Sequence, residues 1–472
     1  MILIETVVDF PLKDFVFNRF RFKKYLGNYL VIGNDGGSIF LTENEFKDML
    51  EKRIIHGSEL YNKLINSRII IDGSNLGQLE KGIINRYHFI KGYPTLNIVV
   101  ISNRCTHKCV YCHAASAQAA KEEFDLSLEN AKKTCDTILS NPSKNILIEF
   151  QGGEPLINFE AIQFIVEYAR KNANGKKINF ALVTNLELMD DLKFEYLIKN
   201  NISICTSLDG NEEVHNFNRK SENKEFNSFL NIVKWIEKIK KVQKPAALVT
   251  VTKKGIENYK EIIDTYIKLG FESIFLRPLH FLGTAKSTIS SIGYTGSEFI
   301  EFYKKSLNYI IEKNKQGIKL VEMNALYKMH KITDRPDPCL SELMSPSGSC
   351  IGQIAYNHDG RVFSCDDGRN ESSSDGFFQI GVAGEDINTI LSRDKVKLIV
   401  ESSINDKYDC DLCVYKPFCG FSTPQNYGKL NTIVPINIED SRCKIAMGEF
   451  DFLFEKMKNN KEDWNVLYSW IN

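Results

Sequence analysis

Three cysteines stand within eight residues in Cys105-Thr106-His107-Lys108-Cys109-Val110-Tyr111-Cys112, a C-x3-C-x2-C run. Three thiolates in one short loop can hold three irons of a [4Fe–4S] cube, leaving a fourth iron free to accept a small molecule. That is a direct way to pass one electron to a bound substrate. A zinc loop would use the same residue types. Of the twelve cysteines, seven more fall late in the chain: Cys339, Cys350, Cys365, Cys410, Cys413, Cys419 and Cys443. Such clustering reads as metal ligation rather than as the disulfide framework of a secreted protein. Cys135, in a helical pattern, and Cys205, inside a strand pattern, read as small buried apolar residues.

The first cysteine run follows an apolar β-type segment at 96–102. Similar segments at 146–151, 178–184, 202–208, 246–252 and 273–279 alternate with helical patterns. Six strands with helices between them predict parallel βαβ units. An open, partial (β/α)6 TIM barrel places its chemistry at the carboxyl ends of the strands. The second strand runs into Gly152-Gly153-Glu154-Pro155, whose paired glycines let the backbone come close to a ligand. The third ends at Thr184-Asn185, the fourth at Ser207-Leu208-Asp209-Gly210 with His215 and Arg219 following, and the sixth carries Arg277. These polar groups suit a ribose or a carboxylate, which a guanidinium can clamp. Turn and cap roles for Asp209 and His215, and a surface ion pair for Arg277, are the plainer alternatives. After the sixth strand a helical stretch is expected over 297–330.

The cysteine loop, with the Gly-Gly-Glu-Pro segment one strand later, resembles the radical S-adenosylmethionine (SAM) superfamily. The resemblance implies that the Cys105/Cys109/Cys112 cluster binds SAM through its open iron. It also implies that Gly152, Gly153 and Glu154 lie at the SAM amino group and Tyr111 near the adenine. Thr184, Asn185, Ser207, Asp209, Arg219 and Arg277 are the further cofactor-binding candidates. One electron would cleave SAM to methionine and a 5′-deoxyadenosyl radical, which abstracts hydrogen from the substrate. His107 and His113 flank cluster ligands without a spacing that requires a role.

The late cysteines, Cys350-x9-Gly360-x4-Cys365 and Cys410-x2-Cys413-x5-Cys419 followed by Cys443, resemble a SPASM domain. That resemblance implies two auxiliary [4Fe–4S] clusters. Cys410, Cys413, Cys419 and Cys443 would hold one, and Cys350 and Cys365 with Cys339 the other. Thr423 stands where the pattern has its last cysteine of C-x5-C-x3-C, which suggests an open iron that could take a substrate thiolate or amide. Asp366, directly after Cys365, looks like the base of the sulfatase-maturating branch and is the catalytic candidate; a solvated loop acid is the alternative. Structural zinc would also suit these spacings.

Ahead of the barrel, β-type runs at 29–32 and 38–41 flank Gly33-Asn34-Asp35-Gly36-Gly37, a hairpin signal. Thr42 before Glu43-Asn44-Glu45 forms a capping box, and a second helix is expected around 58–65. This predicts a small α+β, winged-helix-like module over 1–94. A radical SAM barrel over 95–334, a SPASM segment over 335–450 and a helical tail over 451–472 follow. With the Phe-Arg-Phe-Lys-Lys-Tyr-Leu-Gly-Asn-Tyr-Leu run at 20–30, the arrangement most resembles the His-Xaa-Ser-system radical SAM maturases. That implies a precursor peptide as substrate and an electron donor such as flavodoxin or ferredoxin. A sulfatase-type maturase, a small-molecule radical SAM dehydrogenase and a zinc-stabilised binding protein are the rivals.

Lys and Arg total 60 and Asp and Glu 60, a formal net charge of 0. That argues against nucleic-acid binding driven by an overall field. No run reaches the ~20 apolar residues of a membrane span, and the opening lacks a signal-peptide pattern. A cytoplasmic protein with no nucleic acid and no membrane partner is expected.

Overall fold

The computed structural model describes residues 15–87, 92–114, 116–118, 121–336, 348–371, 376–404, 408–420, 422–433 and 441–471. The chain divides into two units, the smaller formed by Met1–His88, Lys328–Asp337 and Asp409–Cys419 as far as they are described. In it, β1 (Phe20–Tyr25), β2 (Asn28–Gly33) and β3 (Ser38–Leu41) form an antiparallel sheet, with Lys23 opposite Leu30 and Leu30 opposite Phe40. The hairpin of β2 and β3 lies where its turn residues predict. β1 is a further strand, and its alternation of Phe and basic residues gives it two unlike faces. Phe22 packs at a tilt against Phe46, 4.8 Å between ring centroids, which leaves Arg21 and Lys23 on the opposite face.

Helix α1 (Glu43–Leu50) begins at the Thr42 capping box, and α2 (Glu59–Asn66) is capped by Ser58. Both caps satisfy amide groups that the first turn leaves without partners. A third helix, α3 (Leu76–Tyr87), was not among the expected elements. Val31, Leu41, Phe46, Met49, Tyr61, Leu64, Ile69 and Ile70 form the unit's core.

The larger unit is built on β4 (Leu96–Ser102), β5 (Asn145–Gly152), β6 (Lys177–Thr184), β7 (Ile202–Ser207), β8 (Ala246–Thr250) and β9 (Leu276–Arg277). They pair in parallel, each with its neighbour in sequence. Helices α4 (Leu128–Ser140) and α5 (Phe159–Lys171) bury one apolar face each, including Cys135 on α4. The sixth expected strand is interrupted. Ser273–Ile274 pairs with Val321–Glu322 instead, and the buried Glu322 carboxylate takes the Leu276 amide at 3.2 Å. The helical stretch expected over 297–330 is likewise two helices, Gly296–Lys315 and Met323–Ile332.

The sheet continues past its first strand. β10 (Gln353–Tyr356) pairs in parallel with β4, and β11 (Arg361–Phe363) and β12 (Gln379–Val382) extend it antiparallel. A nine-stranded mixed sheet results, open between β9 and β12 among the described residues. Among those residues no helix is long and apolar enough to cross a membrane.

Candidate functional site at the carboxyl ends of the parallel strands

The three-cysteine loop leaves β4 and is held by backbone. Arg104–Cys105 pairs with Ala117–Gln118, and His107–Cys109 pairs antiparallel with Arg219–Ser221. The two glycines after β5 press against the start of this loop. A Cβ on Gly152 would meet the Ser102 carbonyl oxygen at 2.0 Å, and one on Gly153 the Arg104 carbonyl oxygen at 2.2 Å. The close approach lets the Gly153 and Glu154 amides donate to those carbonyls, at 2.8 and 2.7 Å. The glycines are needed for contact with the loop's own backbone.

Glu154 is fully buried and accepts from Thr184 Oγ1 at 2.7 Å, the Asn185 amide at 2.7 Å and the Leu156 amide at 3.0 Å. Burial pushes its carboxyl up to about 7, against those hydrogen bonds. It therefore straps the ends of β5 and β6 together. Asn185 Nδ2 in turn donates to Thr106 Oγ1 at 3.2 Å and lies 3.8 Å from the Cys105 sulfur.

Asp209 is a buried hub rather than a loop acid. It accepts from Tyr111 Oη, Asn218 Nδ2 at 3.0 Å, Arg219 Nε at 3.3 Å and the Thr250 amide at 3.1 Å. Arg219 lies 5.3 Å from the centre of the Tyr111 ring and 3.9 Å from the Cys109 sulfur. His215 Nδ1 accepts from the Asp209 amide and its Nε2 faces Ser228 Oγ at 2.9 Å. Burial holds His215 neutral, its pKa down at about 3. Asp209, Tyr111 and Arg219 thus form one network over Cys109, while Ser207 stands at the end of β7 in a half-buried position.

Burial raises the Cys105 thiol, aided by Cys109, and lifts Cys109 to about 12 against the pull of Arg219. Two such buried thiols are costly as bare thiolates and are stabilised by binding a metal centre. The donor set therefore fits a cluster.

Further into the same end, beside His113, Arg277 and Asp366, lie His280, Asp367 and Gln425, which sequence reasoning did not single out. His113 and His280 stack with ring centroids 5.3 Å apart. Gln425 Nε2 bridges His280 Nδ1 and Asp367 Oδ2, each at 2.8 Å. Arg277 is half-buried, and its charge acts on His113, His280 and Asp367. Burial, with the neighbouring Asp366, pushes Asp367 up to about 6. Asp366 is also buried, in the first turn of Asp366–Glu371, where Arg369 Nε at 2.8 Å and Asn370 Nδ2 at 3.0 Å hold its carboxylate. That overturns the solvated-acid alternative. The adjacent Asp366-Asp367 pair was the available signal for Asp367.

Cys350 and Cys365 are buried near one another, and the Cys365 sulfur accepts from Ser349 Oγ at 2.9 Å and the Gly368 amide at 3.3 Å. Cys350 has φ 58°, a left-handed conformation a non-glycine residue adopts at a cost. Cys339 lies outside the described residues. Thr423 is fully buried, its hydroxyl 2.7 Å from Ser402 Oγ and 3.3 Å from Ser403 Oγ. Cys410, Cys413 and Cys419 belong to the smaller unit, and Cys443 stands on the helix Ser441–Asn459 of the larger one. Among the described residues no three His, Cys, Asp or Glu side chains converge into a set that would hold a single metal ion.

Residues 99–284 match the family model of the Radical SAM superfamily. The chain is 32% identical over 178 residues to an uncharacterized protein of Methanocaldococcus jannaschii, covering 38% of this chain and 60% of that protein. It is 29% identical over 215 residues to the radical SAM cyclopropyl synthase TigE of Paramaledivibacter caminithermalis, covering 42% and 44%. These alignments span less than two thirds of either relative. A cysteine-type anaerobic sulfatase-maturating enzyme of Clostridium perfringens is 23% identical over 284 residues, covering 58% of this chain and 75% of that enzyme. Two solved structures share the fold. Native anSMEcpe with bound AdoMet has a TM-score of 0.65 at 19% identity, covering 79% of this chain and 99% of that one. Streptococcus suis SuiB bound to the precursor peptide SuiA has a TM-score of 0.55 at 14% identity, covering 90% and 98%.

Proposed function

From the radical SAM domain that residues 99–284 of this chain form, we propose a radical SAM enzyme that takes hydrogen from a carbon of a ribosomally made peptide and so installs a modification. The observation that carries this reading is the loop of Cys105, Cys109 and Cys112, pressed between β4 and the Gly152-Gly153 turn. A peptide substrate is supported by relatives that act on proteins or are bound to a precursor peptide. Cys105, Cys109 and Cys112 would hold a [4Fe–4S] cluster that, with SAM, would supply the one-electron radical chemistry for taking the hydrogen. The chain's residues do the positioning. Asn185 and Arg219 lie against cluster sulfurs, Glu154 ties the strand ends beneath them, and Asp209 fixes Arg219 and Tyr111. Thr184 acts through Glu154.

Two auxiliary [4Fe–4S] clusters follow from the late cysteines, one held by Cys350 and Cys365 with Cys339, the other by the Cys410-Cys413-Cys419 loop. Asp366, held by Arg369 and Asn370, is the proposed substrate base, and a flavodoxin- or ferredoxin-like protein is the proposed electron source. The test is iron, labile sulfide and zinc per chain after anaerobic reconstitution. About twelve irons and no zinc supports three clusters. About four irons with one or two zinc ions removes the auxiliary clusters and the role of Asp366.

The 75% span of the sulfatase-maturating relative favours one second reading, oxidation of a cysteine or serine side chain in a sulfatase. A sulfatase-derived peptide turned over faster than a small precursor peptide would select it.

A further inference from the structure

The family match ends at residue 284, and the helix that follows, Ala285–Ile292, lies on the first cysteine loop. Ala285 and Ile292 share a small core with Tyr111, and Cys109 and Val110 pack against it. The Thr284 amide donates to the Cys112 carbonyl at 2.8 Å, and Thr288 Oγ1 to the Val110 carbonyl at 2.7 Å. Two backbone oxygens of the loop, one on either side of Tyr111, are therefore satisfied from this helix.

The helix is itself pinned at two places. Lys286 Nζ reaches Glu371 Oε2 at 2.8 Å and Oε1 at 3.1 Å. Glu371 ends the helix Asp366–Glu371, and its carboxylate lies against Gly428 on the helix Thr423–Leu430, where a Cβ would stand 2.2 Å from Oε2. The Glu371 side chain is 10% exposed, so this ion pair is screened less than a surface one. The second pin is His280, just ahead of the helix. It stacks on His113, which follows Cys112, and joins Asp367 through Gln425 by two steps of 2.8 Å. The same three segments meet at both pins. A loop that holds ligands to within about 0.5 Å of their working geometry needs such support from packed neighbours.

We propose that Lys286 and His280 are positioning residues for the first loop: through the helix Ala285–Ile292 they brace the Tyr111–Cys112 arm against the helices Asp366–Glu371 and Thr423–Leu430, so that SAM binding depends on the late segment. This rests on the reading of the loop as the SAM-binding cluster site. It makes the late segment part of that site independently of any metal the late cysteines hold.

The test uses the full chain, reconstituted anaerobically, with iron counted and the SAM dissociation constant measured by equilibrium dialysis. The change that SAM induces in the electron paramagnetic resonance spectrum of the reduced protein is recorded alongside. Lys286→Met, at a side chain 36% exposed, should keep wild-type iron and weaken SAM binding about fivefold, with a smaller spectral change at a fixed SAM concentration. Lys286→Arg, which keeps the charge, should bind SAM as the wild type does. Gln425→Leu, which breaks the second pin, should weaken binding in the same way as Lys286→Met. Lys238→Gln, in an exposed ion pair with Asp191, should change nothing. Lys286→Met and Gln425→Leu both binding SAM with wild-type affinity would overturn the proposal. Equal weakening in Lys286→Met and Lys286→Arg would overturn it too, because the ion pair would then not be the cause. A wild-type chain that holds its iron and binds no SAM overturns the underlying reading and this proposal with it.

Discussion

Two three-cysteine loops in this chain are held by different physics. The Cys105–Cys112 loop is fixed by backbone pairing and close glycine contacts, and the cations at it are paired, Arg219 with Asp209 at 3.3 Å, Lys108 with Glu222 at 3.3 Å and Arg104 with Asp125. The Cys410–Cys419 loop is fixed by side-chain charge, with Arg19, Arg21 and Lys416 all reaching Asp411. A loop held by backbone keeps its shape when surrounding charges change, whereas one held by ion pairs depends on them and on ionic strength. Position in the chain and cysteine spacing reveal neither property.

The largest effect that would separate the loops is loss of a ligand. Cys109→Ala should remove about four irons and all reductive SAM cleavage, whereas Cys413→Ala should remove about four irons and leave that cleavage intact. Iron analysis with 5′-deoxyadenosine quantification checks both. Next, Gly152→Val forces a Cβ into Ser102 at φ 142°, which should cost ~4 kcal/mol in denaturant unfolding and empty the first loop.

The metal-free protein should also respond to pH. Glu154 rises from 4.5 unfolded to about 7 folded, so the folded state binds the extra proton between those values. Taken as the difference from Glu154→Gln, which cancels the opposite contribution of buried neutral groups such as His215, the stabilisation from Glu154 should be complete below about pH 4.5 and fall by ~3 kcal/mol as pH climbs through 7. A difference that instead rises over that window contradicts the assignment.

Charge removal sharpens the contrast further. Asp209→Asn strands the half-buried Arg219 and should cost ~3 kcal/mol. Asp411→Asn, in a more exposed pair, should cost only ~1 kcal/mol yet loosen the second loop. The smallest expected effect is Thr423→Ala, which removes bonds to Ser402 and Ser403 for ~1 kcal/mol and should leave all iron in place.

Much of this was legible in the chain. The apolar runs located β4 to β8 within two residues at either end, Thr42 caps its helix as its spacing predicts, and the helix expected around 58–65 is Glu59–Asn66. What was not legible depends on contacts distant in sequence. Asp209 reads as a turn residue until the sheet brings Tyr111, 98 positions earlier, to its carboxylate. β10 is a four-residue run in a cysteine-rich segment, and only its pairing with β4 makes it part of the central sheet. The basic residues of β1 look like a solvated face because their partner, Asp411, comes 390 residues later. Thr423 looks like a lost cysteine, and the serines that occupy its hydroxyl lie on a separate helix, Asp394–Ile404.

The central claim is that the loop of Cys105, Cys109 and Cys112 carries the cluster that reduces SAM. The most direct measurement incubates the reconstituted chain with SAM and dithionite under anaerobic conditions and quantifies 5′-deoxyadenosine and methionine by mass spectrometry. The account predicts equal amounts of both, dependent on reductant and absent from Cys109→Ala. A protein that holds its full iron and binds SAM but forms no 5′-deoxyadenosine would contradict it.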